Sequence, residues 1–225
     1  MLTYSNGTVF NQKVDAIVNT VNIVGVMGAG LALEFALRYP DMLESYEEKC
    51  KKGLLSLGKI DCYEAKDVII INFPTKWHFK YPSKIEWIEE GLKDFVRNYK
   101  ALGISSVAFP RLGTRNGGLD WDDVRKIMEK YLSDLDIDVV ICLDKNEAEG
   151  LEKEMIDRFN STDFNIKIPE IRLNSKQIEA INKAQPISHF WQIKELDGIG
   201  ITCYKKMFEY FKESHTYDAE QIAFF

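Results

Sequence analysis

Two glycine-rich segments carry the clearest chemical signal in this chain. Gly25–Gly30 reads GVMGAG, and Arg111–Gly118 reads RLGTRNGG. Each runs into a stretch of helical character, the first at Leu31 and the second at Trp121. Glycine lets a ligand approach the main chain closely. Successive N–H groups ahead of a helix N-terminus attract anionic oxygens. Two such loops at one mouth suit a diphosphate; two tight turns are the plainer reading. The common nucleotide enzymes are excluded, because GxxxxGK[ST] is absent and GVMGAG does not have GxGxxG spacing. Between the loops, Lys76 follows Pro74 in an aromatic setting of Phe73, Trp77, His78 and Phe79. An amine is nucleophilic only when neutral, and apolar surroundings lower its pKa. The ordinary alternative is a surface lysine. Asp120, just before Trp121, is placed either for proton transfer or to cap a helix.

These residues need elements to hold them. Val14–Thr20, Lys59–Glu64, Val68–Phe73, Ser105–Phe109 and Ile137–Leu143 are short, apolar and rich in β-branched residues, as strands are. Helical faces alternate with them at Leu31–Arg38, Met42–Lys52, Ser83–Lys100, Trp121–Leu132 and Glu147–Phe159. Ser83 with Glu86 has the spacing of a capping box. Alternation predicts an α/β fold, with a largely parallel sheet between helical layers. The ligand crevice of such a sheet lies beyond the carboxyl ends of its strands. Both glycine loops, and Asn72–Lys76, would then line one mouth.

The 225 residues suit one sizeable domain with an appendage. We expect a boundary near residue 160, with 1–160 as the α/β domain and 161–225 as a small helical one. The net charge of −6 opposes a broad electrostatic clamp on nucleic acid, though not local contact. The four cysteines and three histidines do not cluster, so no metal site is expected. No signal peptide and no apolar run of membrane-spanning length stands out, so a cytoplasmic protein with reduced thiols is the expectation.

VDAIVNTVN at Val14–Asn22, followed by GVMGAGLALEF, resembles the opening of a macrodomain, the module that binds ADP-ribose. With NFPTK at Asn72–Lys76 and GGLDW at Gly117–Trp121, the resemblance narrows. It points to the lysine-dependent branch that includes the DarG-type DNA ADP-ribosyl glycohydrolase antitoxins. It covers about residues 1–145. It implies a three-layer α/β/α sandwich with a mixed, largely parallel sheet. It places Asn19 and Asn22 at the distal ribose, unless one of them caps a turn. Gly28, Ala29 and Gly30 match the first diphosphate loop; Gly113, Thr114, Arg115, Asn116, Gly117 and Gly118 match the second. In that branch the residue matching Lys76 attacks the anomeric carbon of the distal ribose, and the acid matching Asp120 assists proton transfer. The implied substrate is ADP-ribosylated DNA, with a cognate ADP-ribosyltransferase toxin as partner and no cofactor. Two features depart from the family. Gly7–Thr8 stands where many members have Gly-Asp for the adenine amino group, and Arg115 either meets phosphate or obstructs its loop. These departures keep open a reader that binds ADP-ribose without turnover; a further alternative is a hydrolase of ADP-ribosyl esters on protein Glu or Asp, with residues 161–225 as a protein-docking element.

In the remaining segment, LDGIG at Leu196–Gly200 lies between helical stretches Ser188–Glu195 and Thr202–Phe211. It is similar to a helix-hairpin-helix turn. In such a turn Gly198 and Gly200 would offer amides to a DNA phosphate, with Lys205 and Lys206 adding charge. A tight interhelical turn is the competing reading. The aromatics Phe190, Trp191, Tyr204, Phe208, Tyr210 and Phe211 suit a small core, and Phe224 and Phe225 are expected to tuck in.

Overall fold

The computed structural model describes residues 1–222, with side chains described to residue 213; the expectation for Phe224 and Phe225 lies outside them. Its contacts divide the chain into two compact units, Met1–Lys145 and Asn146–Phe225.

The first unit is built on a six-stranded sheet. Its strands are β1 (Leu2–Ser5), β2 (Ala16–Asn22), β3 (Asp61–Glu64), β4 (Ile69–Lys76), β5 (Ser106–Pro110) and β6 (Asp138–Cys142), in the order β1-β6-β5-β2-β4-β3. Every neighbouring pair is parallel except β3 with β4. Successive side chains of a strand point to opposite faces. Ala16 and Val18 of β2 therefore join one core, with Ile71, Phe73, Val107 and Phe109. Helices α3 (Ile85–Asn98) and α4 (Trp121–Leu132) cover that face with Ile88, Leu92, Phe95, Val124 and Met128. Ile17 and Val21 face the other way, with Ile70 and Ala108. There α1 (Gly30–Arg38) and α2 (Pro40–Lys51) supply Phe35, Met42 and Tyr46. A sheet covered on both faces needs unbroken apolar strands, which is why VDAIV and VIII read so clearly in the sequence.

Three sequence expectations shift. β3 begins at Asp61 rather than Lys59. Ser83 does not cap α3: the N-cap is Lys84, with no side-chain cap bond, and Ser83 is buried with its hydroxyl unpartnered. The reason is tertiary. The Ser83 amide donates to the Gly117 carbonyl at 2.8 Å, which draws the residue under the second glycine loop. The third shift is the boundary. Helix α5 (Gly150–Ser161) falls in the second unit, because Phe159 packs its ring against Phe164, Phe190 and Phe211.

The second unit continues with α6 (Ser175–Ala184), a 3-10 helix at Phe190–Glu195 and α7 (Ile201–Ile222). Asn174 and Gln177 form a capping box that starts α6. Phe190, Tyr204, Phe208 and Phe211 are buried as expected, while Trp191 is half exposed. The element before LDGIG is thus a short 3-10 helix, not the α-helix that the hairpin expectation required. At its start the Ser188 and His189 amides both donate to Gln192 Oε1. Among the described residues no helix is long and apolar enough to cross a membrane.

Candidate functional site

Since β2, β4, β5 and β6 run parallel, the loops that follow them gather at one edge of the sheet. The first glycine loop connects β2 to α1. Its end, Gly28–Gly30, is exposed. Ala29 occupies the N-cap of α1 in extended conformation, with no side-chain cap bond. A helix start leaves its first amides without intrahelical partners, and a capping side chain would normally take one. Here alanine leaves the N-terminus of α1 open to an anionic group, and the helix dipole favours one there. Gly30, with φ of 55°, adopts the left-handed conformation that glycine tolerates.

The second loop, between β5 and α4, closes largely on itself. The amides of Gly117, Gly118 and Leu119 donate to Thr114, Arg115 and Gly113 carbonyls at 2.7, 3.0 and 3.1 Å. Those three amides are not offered to a phosphate, which narrows the expected cradle to Gly113–Asn116. The Thr114 hydroxyl donates to the Arg111 carbonyl at 3.1 Å. Arg115 is held away from its own loop: its guanidinium pairs with Asp144 Oδ2 at 2.8 Å and donates to the Asp144 carbonyl at 3.3 Å. The two glycine loops meet at their tips. A Cβ built on Gly30 would lie 2.8 Å from Asn116 Nδ2.

Lys76 is the last residue of β4. The ladder between β2 and β4 is irregular at Val21/Asn22, where Pro74 has no N–H to contribute, and Lys76 comes to lie opposite Asn22. Its ammonium group donates to the Asn116 carbonyl of the second loop, and to the Phe79 carbonyl at 3.5 Å. Burial holds its pKa below the ordinary lysine value. Asp120 takes the position its alternative reading gave it. As N-cap of α4 its Oδ1 accepts from the amides of Asp122 at 2.8 Å and Asp123 at 3.4 Å. It also lines an open cleft of about 700 Å³ with Leu119, Asp123, Lys84 and Glu86. No ion pair or hydrogen bond among the described residues joins Asp120 to Lys76. What relates them is the second loop, touched by Lys76 at Asn116 and ended by Asp120.

The two asparagines need correction. Asn19 is fully buried in mid-strand, donating to Asn72 Oδ1 at 3.0 Å, with its own Oδ1 unpartnered. With no exposed surface it does not face a ribose. Asn22 is 6% exposed, and its amide is occupied at both ends. Nδ2 donates to the Val26 carbonyl at 2.6 Å, while Oδ1 accepts from the Val24 amide at 3.0 Å and the Tyr46 hydroxyl at 3.2 Å. Asn22 thus caps the first loop, the alternative that the sequence left open. Tyr46 was not singled out by sequence. Its hydroxyl also donates to the Asn22 carbonyl at 2.7 Å, which pins the start of the loop. A second unforeseen group runs beneath it: Asn72 Nδ2 donates to Asp61 at 3.3 Å, and Asp61 pairs with Lys49 at 2.5 Å. The only sequence signal for it was an asparagine following the apolar run Val68–Ile71.

The second unit holds the other expected residues. Gly198 has φ of 77°, its carbonyl accepts from Gln177 Nε2 at 2.9 Å, and Gly200 is open on the Cβ side. Lys206 is exposed and Lys205 half-buried on α7. The tight turn is therefore formed, without the first α-helix of a hairpin.

A mixed sheet with an uncapped helix start, a second glycine loop and a lysine gathered at its carboxyl edge defines an α/β protein with a glycine-lined mouth. Residues 18–128 match the Macro domain family. A DNA ADP-ribosyl glycohydrolase of Mycobacterium tuberculosis is 46% identical over 157 residues, covering 68% of this chain and 45% of that relative. The solved macrodomain of Mycobacterium tuberculosis DarG is 46% identical with a TM-score of 0.61, over 63% of this chain and 97% of that one. Thermosipho africanus DarTG, solved in complex with ADP-ribose, is 38% identical with a TM-score of 0.60, over 62% of this chain and 40% of that one. The chain belongs to the macro domain family. It spans a little under half the length of the curated relative it matches.

Proposed function

We propose that this protein is an ADP-ribosyl glycohydrolase that removes single ADP-ribose units from DNA bases, with Lys76 as nucleophile. The observation that carries the reading is the placement of Lys76: an ammonium of lowered pKa, at a strand end, on the carbonyl of a glycine-loop residue. The identities to glycohydrolases of that class support the substrate. The uncapped N-terminus of α1, at Ala29 and Gly30 beside Gly28, takes the diphosphate, and Gly113–Asn116 closes over it. The neutral Lys76 amine attacks the anomeric carbon of the distal ribose. The glycosidic bond breaks, the base leaves with the bonding electrons and takes a proton from Asp120, and the amine nitrogen passes its own proton to the Asp120 carboxylate so formed. Water then cleaves the lysyl-ribose adduct, releasing ADP-ribose and restoring the amine. A cognate ADP-ribosyltransferase supplies the modified DNA. The cytoplasm is the fitting compartment, since all four cysteines are free thiols. The turn at Gly198 and Gly200, with Lys205 and Lys206, offers a further phosphate contact.

The test is single-turnover hydrolysis of mono-ADP-ribosylated single-stranded DNA by wild type and Lys76→Ala. ADP-ribose released by wild type alone is the expected result. Intact substrate after long incubation with wild type, or equal release by the variant, would sink the reading. Tight binding of ADP-ribose without release would identify a reader.

A further inference from the structure

The segment directly after Lys76 is not explained by holding ADP-ribose. Residues 76–84 read KWHFKYPSK, with three lysines, one histidine and no carboxylate, in a chain of net charge −6. Three large rings stand out of the surface there: Trp77 is 52% exposed, Phe79 44% and Tyr81 55%. Phe73, on the same strand, is fully buried. The segment therefore changes from burying its aromatics to presenting them within a few residues. Such rings carry large apolar faces, and leaving them in water forgoes the burial that aromatics usually find.

The rings are ordered. Trp77 and Tyr81 lie within 19° of parallel with centroids 5.9 Å apart, and His78 and Phe79 stack at 4.2 Å. A turn fixes them: the Tyr81 amide donates to the His78 carbonyl and the Lys80 amide to His78 Nδ1, both at 3.2 Å. The Phe79 carbonyl accepts from Lys76 itself. Lys80 reaches over the Phe79 ring and Lys84 over Trp87, and neither forms an ion pair among the described residues.

We propose that Trp77–Tyr81, with Lys80 and Lys84, is a stacking platform for unpaired bases of a single-stranded nucleic acid. The proposal rests on the glycohydrolase reading, for which it would seat the nucleotides flanking the modified one. Exposed aromatic rings interleaved with cations match the alternation of base and phosphate along a single strand. A duplex hides its base faces and cannot use the rings. An acidic peptide would use the lysines but not the stacked faces. Because the turn is tied to Lys76, bases seated on it stand beside the nucleophile, and stacking them out of a strand presents the modified base to the mouth.

The experiment measures binding of an unmodified single-stranded oligonucleotide of about ten nucleotides, within the usual site size, to the full chain by fluorescence anisotropy. The probe carries no ADP-ribose, so its result is independent of whether hydrolysis occurs. Trp77→Ala and Tyr81→Ala should each weaken binding about ten-fold, and Trp77→Phe should retain most of it. The ratio of oligonucleotide affinity to ADP-ribose affinity should fall by a similar factor in the alanine variants. Lys80→Ala should reduce the slope of log affinity against log salt by about 0.7, the loss of one phosphate contact on a single strand. A duplex of the same length should bind more weakly than the single strand. The proposal is overturned if wild type does not bind the single strand. It is equally overturned if folded alanine variants, checked by thermal unfolding, bind as wild type does. Affinity for a Glu/Asp-rich peptide that alone depends on Trp77 would overturn it in favour of a protein-docking surface.

Discussion

Two opposed influences act on Lys76. Burial disfavours its charged form, while the carbonyls of Asn116 and Phe79 accept from that form and hold it in place. Burial prevails, so the folded-state pKa lies below that of the unfolded chain. Two consequences follow with definite sign. Between the two pKa values the unfolded chain binds more protons, so stability rises with pH across that window. Below the folded pKa the burial cost is present in full. The single-turnover rate should rise with pH as the amine becomes neutral, then level off, with a midpoint below the ordinary lysine value of about 10.4. A pH–rate profile checks this; a flat profile, or a midpoint at the ordinary value, would remove the neutral-amine attack.

At the scale of elements, Asp120 has one shown role, the cap of α4, and one proposed role, proton transfer. Its Oδ1 caps α4. Asparagine and aspartate cap almost equally well, whereas alanine does not. Asp120→Ala should therefore lower stability by about 1 kcal/mol. Asp120→Asn should leave stability nearly unchanged. Because asparagine cannot donate the proton, Asp120→Asn should still slow turnover roughly 100-fold or more, the usual worth of general acid catalysis. Urea unfolding and single-turnover kinetics on both variants separate the roles. Full activity in Asp120→Asn would leave only the cap. The start of α1 makes the complementary point. Its N-cap is an alanine, and the lost cap bond is what keeps the first-turn amides available.

At the scale of the whole molecule, the parallel order of β2, β4, β5 and β6 brings three loops from distant parts of the chain to one edge. Those loops rest on a sheet whose buried residues are mostly apolar, with Asn19 and Asn72 sealed among them. The second unit has a different foundation, an aromatic core centred on Phe159, Phe190 and Phe211. Removing a buried phenylalanine leaves a cavity that costs about 3–5 kcal/mol. Phe159→Ala should accordingly lower the unfolding transition of the second unit. Scanning calorimetry would show it, and an unshifted thermogram would contradict this account of the second core.

The local features of the chain were legible because they are set by nearest neighbours. Alternating apolar runs gave the strands, the helical faces gave α3 and α4, and two glycine loops ahead of helices gave the mouth. The macrodomain motifs gave the family. Asp120 as an N-cap was readable because its partners, the amides of Asp122 and Asp123, follow it directly in the chain. The rest was decided by contacts far apart in sequence. Asn19 and Asn22 look alike in NTVN. Only packing shows that Asn19 is sealed against Asn72, and that Tyr46, from the next helix but one element away in the chain, pins Asn22. Ser83 has the spacing of a cap, yet its amide is claimed by Gly117 and the helix starts without it. The unit boundary moved for the same reason: α5 reads as one more helix of the α/β alternation, and only distant contacts assign it elsewhere, among them Phe159 in its aromatic core and Arg158 on the Phe211 carbonyl. Sequence determines which groups a segment can offer. The fold decides which of them are already taken, because a buried donor or acceptor must find its partner wherever the chain returns.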